Sequence, residues 1–366
     1  MLEIKPTETL NEGSIFGQII KMDHEQLVIC NDQATGLKAL IGIHNTVLGP
    51  ALGGTRMWPY ASEQEAITDV LRLSRGMTFK NALAGLNLGG GKAVIIGDPK
   101  LKNEAFMRRF GRFIESLGGR YVTAEDVNMK TSDMEYIAME TRHVAGLPEI
   151  KGGSGDPSPV TAFGVYMGMK AAAKKAFGSD SLSGKKIGVQ GVGQVGKYLI
   201  EYLIKEGAEV MVTDIFQEKL QEVAKATGAQ AVDPNVIYDL PMDIYSPNAL
   251  GATINDETID RLKCAVIAGG ANNQLKDEDK HGKLLIKKGI VYAPDFLINA
   301  GGVINVGMEY LGDYNREIVF QQTEKIYETC MTIFAKSEKE NIPAQQAAIE
   351  TAKARIESIG RVKLPF

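Results

Sequence analysis

The chain's 366 residues are 44% hydrophobic and 23% charged, enough for two domains with a core each and unlike a disordered or fibrous composition. The net charge of −4 is spread without long single-sign blocks, which argues against nucleic acid as a partner. The sequence shows no basic-then-apolar leader and no apolar run of membrane-spanning length, so a cytoplasmic protein with no membrane partner is expected. Cys30, Cys264 and Cys330 lie far apart, and His24, His44, His143 and His281 are equally scattered. Neither set has the close spacing of a zinc or thiol-redox site, so metal-free chemistry is expected, with the thiols in the core.

In chain order, residues 26–30 and 37–44 are short, aliphatic and partly alternating, which predicts strands. Ser62-Glu63-Gln64-Glu65 has the capping-box form, and Ala66, Ile67, Val70, Leu71 and Ser74 follow at helical spacing toward Gly76 and Met77. Lys80 should lie near the end of that helix. Gly89-Gly90-Gly91 reads as a turn, followed by a buried strand over 93–96 that Gly97-Asp98-Pro99 stops, which places Lys92 at the strand's entry. A helix over 103–117 leads through Gly118-Gly119 into a strand at 120–124, with Glu125-Asp126 just beyond. From Ser183 the texture becomes repeated strand and helix: strands at 185–190, 208–213, 265–268 and 290–293, helices to Lys205 and from Phe216. That pattern predicts a parallel α/β domain. The tail from Glu317 is helical, with a break at Pro343. The expected division is 1–145 for a substrate-binding and oligomerisation domain and 146–334 for a dinucleotide domain, with the tail from about 335 to 366 packing back on the first.

Gly191-Val192-Gly193-Gln194-Val195-Gly196 follows a predicted strand and opens an apolar-striped helix, the context that gives this otherwise weak pattern its meaning. The glycines permit a tight turn, backbone approach to a pyrophosphate and close helix packing, while the helix N-terminus offers oriented N–H groups. Asp214 closes the next strand, where a carboxylate can bind the adenosine ribose and repel a 2′-phosphate; NAD is therefore expected over NADP. Gly89-Gly90-Gly91-Lys92 is not a nucleotide-phosphate loop, since Leu86 stands where its first glycine belongs and Ala93 where its Ser or Thr belongs. Lys80 and Lys92, twelve residues apart, could divide a reaction, one fixing a substrate carboxylate and the other exchanging protons. From spacing alone they read equally well as solvated surface charges. Asp126 alone reads as a surface carboxylate beyond a strand; with Lys92 it could take a substrate proton and stabilise a cationic intermediate.

The chain resembles the glutamate, leucine, phenylalanine and valine dehydrogenase family over nearly its whole length. The resemblance is carried by Leu48-Gly49-Pro50-Ala51-Leu52-Gly53-Gly54-Thr55-Arg56-Met57, Gly76-Met77-Thr78-Phe79-Lys80-Asn81, Gly85 through Lys92, Thr123-Ala124-Glu125-Asp126-Val127, Ser158-Pro159-Val160-Thr161-Ala162, Ala271-Asn272-Asn273-Gln274 and Asn299 through Val306. It implies an N-terminal α/β substrate domain, a Rossmann-type domain and an active-site cleft between them. It also implies that Lys80 binds the α-carboxylate, that Lys92 is the acid/base that activates water, that Asp126 handles the amino-group proton, and that Thr161 and Asn272 lie near the nicotinamide and substrate. The implied reaction interconverts an amino acid with a 2-oxo acid and ammonia, in a homo-oligomer, commonly an octamer. Leu52, just before Gly53, stands where glutamate-specific members carry a lysine. With Ala124, Val303 and Val306 as further walls, it would leave a glutamate side chain's carboxylate unpaired at a cost of roughly several kcal/mol. Branched aliphatic substrates, leucine first and then valine and isoleucine, are expected; phenylalanine or valine preference, or a silent NAD-binding regulator, are the alternatives.

Overall fold

The computed structural model describes residues 13–312 and 314–362, so the leader-free reading of residues 1–12 lies outside the described residues. The chain divides into two compact units, one taking in the N-terminal part to 82, 86–155 and the chain from 358, the other 83–85 and 156–357. The first boundary thus falls ten residues after the expected 145, and the return of the tail falls at 358, not near 335.

The first unit contains α1 (Ile15–Met22), β1 (Gln26–Asp32), β2 (Leu37–Asn45), β3 (Ala51–Leu52), β4 (Thr55–Trp58), α2 (Glu63–Leu83), β5 (Gly89–Ile96), α3 (Glu104–Glu115), β6 (Tyr121–Val122) and α4 (Thr131–Ala138). Its sheet runs β1-β2-β5-β3-β6, with β4 also on β5; β1, β2 and β5 pair antiparallel, whereas β3 and β4 run parallel to β5. One face packs under α3 and α4 through Ile41, Ile43, Ile95, Phe106, Phe110 and Ile137. The other packs under α2 through Leu40, Ile67, Val70, Leu71 and Val94. Ser62 caps α2 as its sequence predicts, its Oγ accepting the Glu65 N–H at 3.1 Å, while the Glu65 carboxylate reaches back to the Ala61 N–H at 2.9 Å.

The glycine run corrects the sequence reading: Gly89–Gly91 is not a turn but the first half of β5, which places Lys92 in mid-strand. None of the three has a positive φ. They are glycines because neighbours come too close for a Cβ, which would lie 2.0 Å from the Asn45 carbonyl oxygen at Gly89, 2.1 Å from the Thr78 backbone nitrogen at Gly90 and 2.7 Å from the Tyr121 ring at Gly91. Both a tight turn and a strand under a tightly docked helix call for glycine, so composition alone pointed to the wrong one.

The second unit contains α5 (Ser158–Phe177), β7 (Lys186–Gln190), α6 (Gln194–Lys205), β8 (Glu209–Thr213), α7 (Gln217–Thr227), β9 (Gln230–Ala231), β10 (Ile244–Pro247), β11 (Val266–Ile267), α8 (Glu278–Lys288), β12 (Val291–Tyr292), α9 (Asp295–Ile298), α10 (Gly301–Leu311), α11 (Arg316–Glu324), α12 (Ile326–Glu340) and most of α13 (Ala344–Val362). Its sheet is parallel, in spatial order β12-β11-β10-β7-β8-β9. With the strands numbered in chain order within the unit and read from the β9 edge, this is the 3-2-1-4-5-6 order of a doubly wound dinucleotide fold, whose direction of winding reverses between β7 and β10. The expected parallel α/β domain is present; β9 and β10 were not anticipated. β10 has a four-residue run, Ile-Tyr-Ser-Pro, too short and mixed to stand out, yet it is wholly buried.

Candidate active site

In the first unit, α2 delivers Lys80 in its last turn and β5 delivers Lys92, only 6% exposed. The turn of α2 before Lys80 sits on the two glycine segments that flank Lys92: a Cβ at Gly53 would lie 3.1 Å from Met77 Cγ, and one at Gly90 against Thr78. Asn81, next along α2, donates its side-chain amide to the carbonyls of Leu52 and Gly89, tying the helix to β3 and β5. Gly54 does the same for the chain after β6, where a Cβ would come within 2.4 Å of the Glu125 carbonyl oxygen and 3.1 Å of Asp126 Cβ. Glycine packing therefore brings β4, β5 and the Asp126 segment together.

Asp126 Oδ2 accepts from Lys92 Nζ at 2.8 Å and from Arg56 Nε at 3.1 Å. Arg56 also reaches Asp69 through Nη1 at 3.2 Å; Asp69 in turn accepts from the Tyr60 hydroxyl at 2.7 Å and from Arg72 at 3.0 Å. Burial alone would push the Asp126 carboxyl upward, but Lys92 and then Arg56 outweigh it and hold Asp126 below the usual carboxylate range. The same desolvation, together with Asp69, drives the Tyr60 phenol well above its ordinary value. Leu52 is fully buried on β3, opposite Gly90 and Val122, and Ala124 is buried two residues beyond β6. The expected pairing of Lys92 with Asp126 is thus a direct ion pair.

In the second unit the three fingerprint glycines serve different ends. Gly191 has φ +106°, and a Cβ there would meet Ala249 and Asn248; at Gly196 a Cβ would lie 2.2 Å from the Gly191 carbonyl oxygen, so these two close the strand–helix turn. At Gly193 a Cβ would meet no protein atom within 4 Å. Its missing side chain therefore clears space outside the fold's own packing, in front of an α6 N-terminus that carries no side-chain cap and no acidic first turn. That is the form of a pyrophosphate cradle, with Gln194 and Val195 as the first residues of the helix. Asp214 is held at the turn, accepting the Val192 and Phe216 N–H groups at 2.9 and 3.0 Å. The residues present fit a dinucleotide.

Thr161 lies in the first turn of α5, its hydroxyl on the Pro157 carbonyl at 3.0 Å. The start of α10 packs close by, since a Cβ at Gly302 would lie 2.9 Å from Thr161 Oγ1. Val303 and Val306 follow on α10, Val303 buried and Val306 half-buried. Asn272 is exposed, and its side-chain oxygen accepts from Asn299 at 2.7 Å. Among the described residues no group of three or more His, Cys, Asp and Glu could hold a metal, and the three cysteines are buried and free.

A model of the Glu/Leu/Phe/Val dehydrogenase dimerisation domain matches residues 24–143, and one of the Glutamate/Leucine/Phenylalanine/Valine dehydrogenase domain matches 152–215 and 212–363. The chain belongs to this dehydrogenase family. It is 58% identical over 353 residues to the leucine dehydrogenase of Thermoactinomyces intermedius and 56% identical over 353 residues to that of Geobacillus stearothermophilus, covering 96% of both partners in each comparison. Among solved structures, the L-tryptophan dehydrogenase of Nostoc punctiforme aligns with a TM-score of 0.84 at 42% identity, over 94% of this chain and 99% of that one. The protein is an amino-acid dehydrogenase with a Rossmann-type domain that implies a nicotinamide cofactor and small-molecule substrates. Among the described residues no helix is long and apolar enough to cross a membrane.

For this dehydrogenase, sequence reasoning missed Arg56, Asp69 and Asn81. Arg56 and Asn81 sat inside quoted motifs without a role, whereas Asp69 looked like one more polar position on an amphipathic helix. The only local signal was Arg56 itself, a charge between Thr55 and Met57, both fully buried.

Proposed function

We propose that the protein catalyses the NAD-dependent, reversible oxidative deamination of branched aliphatic L-amino acids, leucine first and valine and isoleucine after it, to 2-oxo acids and ammonia. The ion pair between buried Lys92 and half-buried Asp126 carries this reading, because it places a proton acceptor and a proton-exchanging amine 2.8 Å apart. Lys80 would hold the α-carboxylate. Asp126, kept ionised, would take the proton that the substrate's ammonium must lose. Lys92 would exchange the proton of the water that adds to the iminium carbon. A bound nicotinamide would accept the hydride from Cα. Thr161 and Asn272 would contact the nicotinamide and substrate, and Gly191, Gly193, Gln194, Val195 and Gly196 would take the pyrophosphate.

Asp214 supports NAD over NADP, since a fixed carboxylate at the ribose end of the site would repel a 2′-phosphate. Leu52, Gly53 and Ala124 of the first unit and Val303 and Val306 of the second are each aliphatic or glycine and would offer a substrate side chain no charge, and the two leucine dehydrogenases above favour the same assignment. A one-methylene difference is worth only about 1 to 3 kcal/mol, so several branched substrates should turn over. A cytoplasmic homo-oligomer, octameric by family resemblance, completes the proposal.

The test is spectrophotometric reduction of NAD with leucine, valine, isoleucine, phenylalanine and glutamate in parallel at alkaline pH, with NADP as the control. Fast turnover of the branched substrates with glutamate inert is the expected result. Phenylalanine ahead of leucine would overturn the pocket assignment, and NAD binding without turnover of any amino acid would make the protein a silent binder.

A further inference from the structure

We propose that Arg56 is the positioning residue of the acid–base pair, holding the Asp126 carboxylate in register with Lys92 while Asp69 anchors it from behind. The inference rests on the amino-acid dehydrogenase reading of this site. A carboxylate held by Lys92 alone would have one flexible ammonium to fix its direction. Arg56 supplies a second, planar donor to the same oxygen, Nε at 3.1 Å against Lys92 Nζ at 2.8 Å.

Arg56 is itself held. It lies on β4 opposite Val94 of β5, two residues along from Lys92, so the ladder sets where its side chain begins. Its Nη1 reaches Asp69 Oδ2 at 3.2 Å, and Asp69 is fixed by Tyr60 at 2.7 Å and Arg72 at 3.0 Å. One guanidinium thus bridges two carboxylates on different elements, which an ammonium on a lysine stem has no matching geometry to do. Both the Arg56 and Asp126 side chains are about one-quarter exposed, so the contact is neither deeply buried nor freely solvated.

Removing Arg56 also has a predictable electrostatic consequence. Facing Asp126 are Lys92 from β5, Arg56 from β4, and Tyr121 from β6, with Tyr60 and Asp69 beyond Arg56. Burial favours the neutral acid; Lys92 and Arg56 oppose it and hold the carboxyl below its ordinary value. With Arg56 gone one of the two opposing cations is lost and burial remains, so Asp126 takes up its proton at a higher pH than in the intact site.

A cavity of about 720 Å³ opens on this network, lined by Arg56, Trp58, Tyr60, Asp69, Arg72 and Val127 among others. It offers a route by which free guanidinium could refill the place of a truncated Arg56.

The experiment is leucine- and NAD-dependent steady-state kinetics across pH for the full-length wild type, Arg56→Ala and Arg56→Lys, with and without non-denaturing guanidinium chloride, and sodium chloride as the ionic control. Arg56→Ala should lose up to about 100-fold in kcat. The acid limb of its kcat/KM profile should move to higher pH, and guanidinium should restore rate saturably. Arg56→Lys should keep the acid limb near that of the wild type, because the charge remains, yet show a reduced kcat that guanidinium does not restore. Wild-type kcat and acid limb in Arg56→Ala would overturn the proposal. So would a slowed Arg56→Ala with an unmoved limb and no response to guanidinium, which is the signature of a merely structural role. If Arg56→Ala does not fold, Arg56→Lys decides alone, and full wild-type kcat in it overturns the proposal. A wild type that turns over no amino acid sinks the functional reading as well, which separates the two failures.

Discussion

At the scale of single residues, the site is arranged so that Lys92 can be removed without leaving an uncompensated buried charge. Asp126 would keep Arg56 at 3.1 Å, and Arg56 would keep Asp69 at 3.2 Å. Breaking a buried pair ordinarily costs several kcal/mol because one charge is left unpaired, and here the second cation covers that loss. Lys92→Ala should therefore fold and bind NAD, as equilibrium fluorescence titration of the cofactor would show, while leucine turnover falls about 10²- to 10⁴-fold, the usual worth of a positioned acid or base. Full turnover in Lys92→Ala would remove the acid/base role, whereas loss of NAD binding along with turnover would point to a folding defect.

At the scale of elements, α2 and β5 form one functional part, and the glycines of β5 set their spacing. Gly90 has no Cβ because the α2 backbone is already there, with Thr78 N at 2.1 Å and Thr78 Cα at 2.4 Å from where it would stand. Gly90→Ala must push α2 off the sheet, and with it Lys80. Overpacking of this kind typically costs 1 to 3 kcal/mol, about as an order of magnitude, so the melting temperature should fall and the KM for leucine should rise more than kcat changes. An unchanged melting temperature and KM would show that α2 can shift without consequence. Much of this architecture is legible in the chain: the strands at 26–30 and 37–44, the Ser62 cap, the helix over 103–117 and the strand–turn–helix around Gly191 all follow from local pattern. The Arg56 network is not, because its carboxylates lie 70 and 13 residues away, and only the folded sheet with α2 packed on it brings them together. Gly89–Gly91 reads as a turn for the same reason, since the contacts that forbid side chains come from Asn45 of β2, Thr78 of α2 and Tyr121 of β6, none of them a neighbour in sequence.

At the scale of the whole molecule, the proposed acid–base residues belong to one unit and the dinucleotide fingerprint to the other. The first unit also carries apolar surface that its own fold leaves uncovered. α1 is apolar on two sides: Ile19 and Met22 pack on the cluster beneath α2, but Phe16 and Ile20 remain 67% and 65% exposed. β1, at one end of its sheet, adds Ile29 at 67% exposure. A helix apolar on both faces and a seven-residue edge strand with an exposed isoleucine are features that soluble proteins cover. The match of residues 24–143 to a dimerisation domain makes a second copy of this chain the fitting cover. The wild type should therefore run well above its 39.7 kDa chain mass in light scattering after size exclusion. The double substitution Ile20→Glu and Ile29→Lys should lower that mass while leaving the far-ultraviolet circular dichroism intact, because neither side chain is part of the core. A monomeric wild type would refute self-association, and an oligomer unaffected by the double substitution would place its interface elsewhere on the chain.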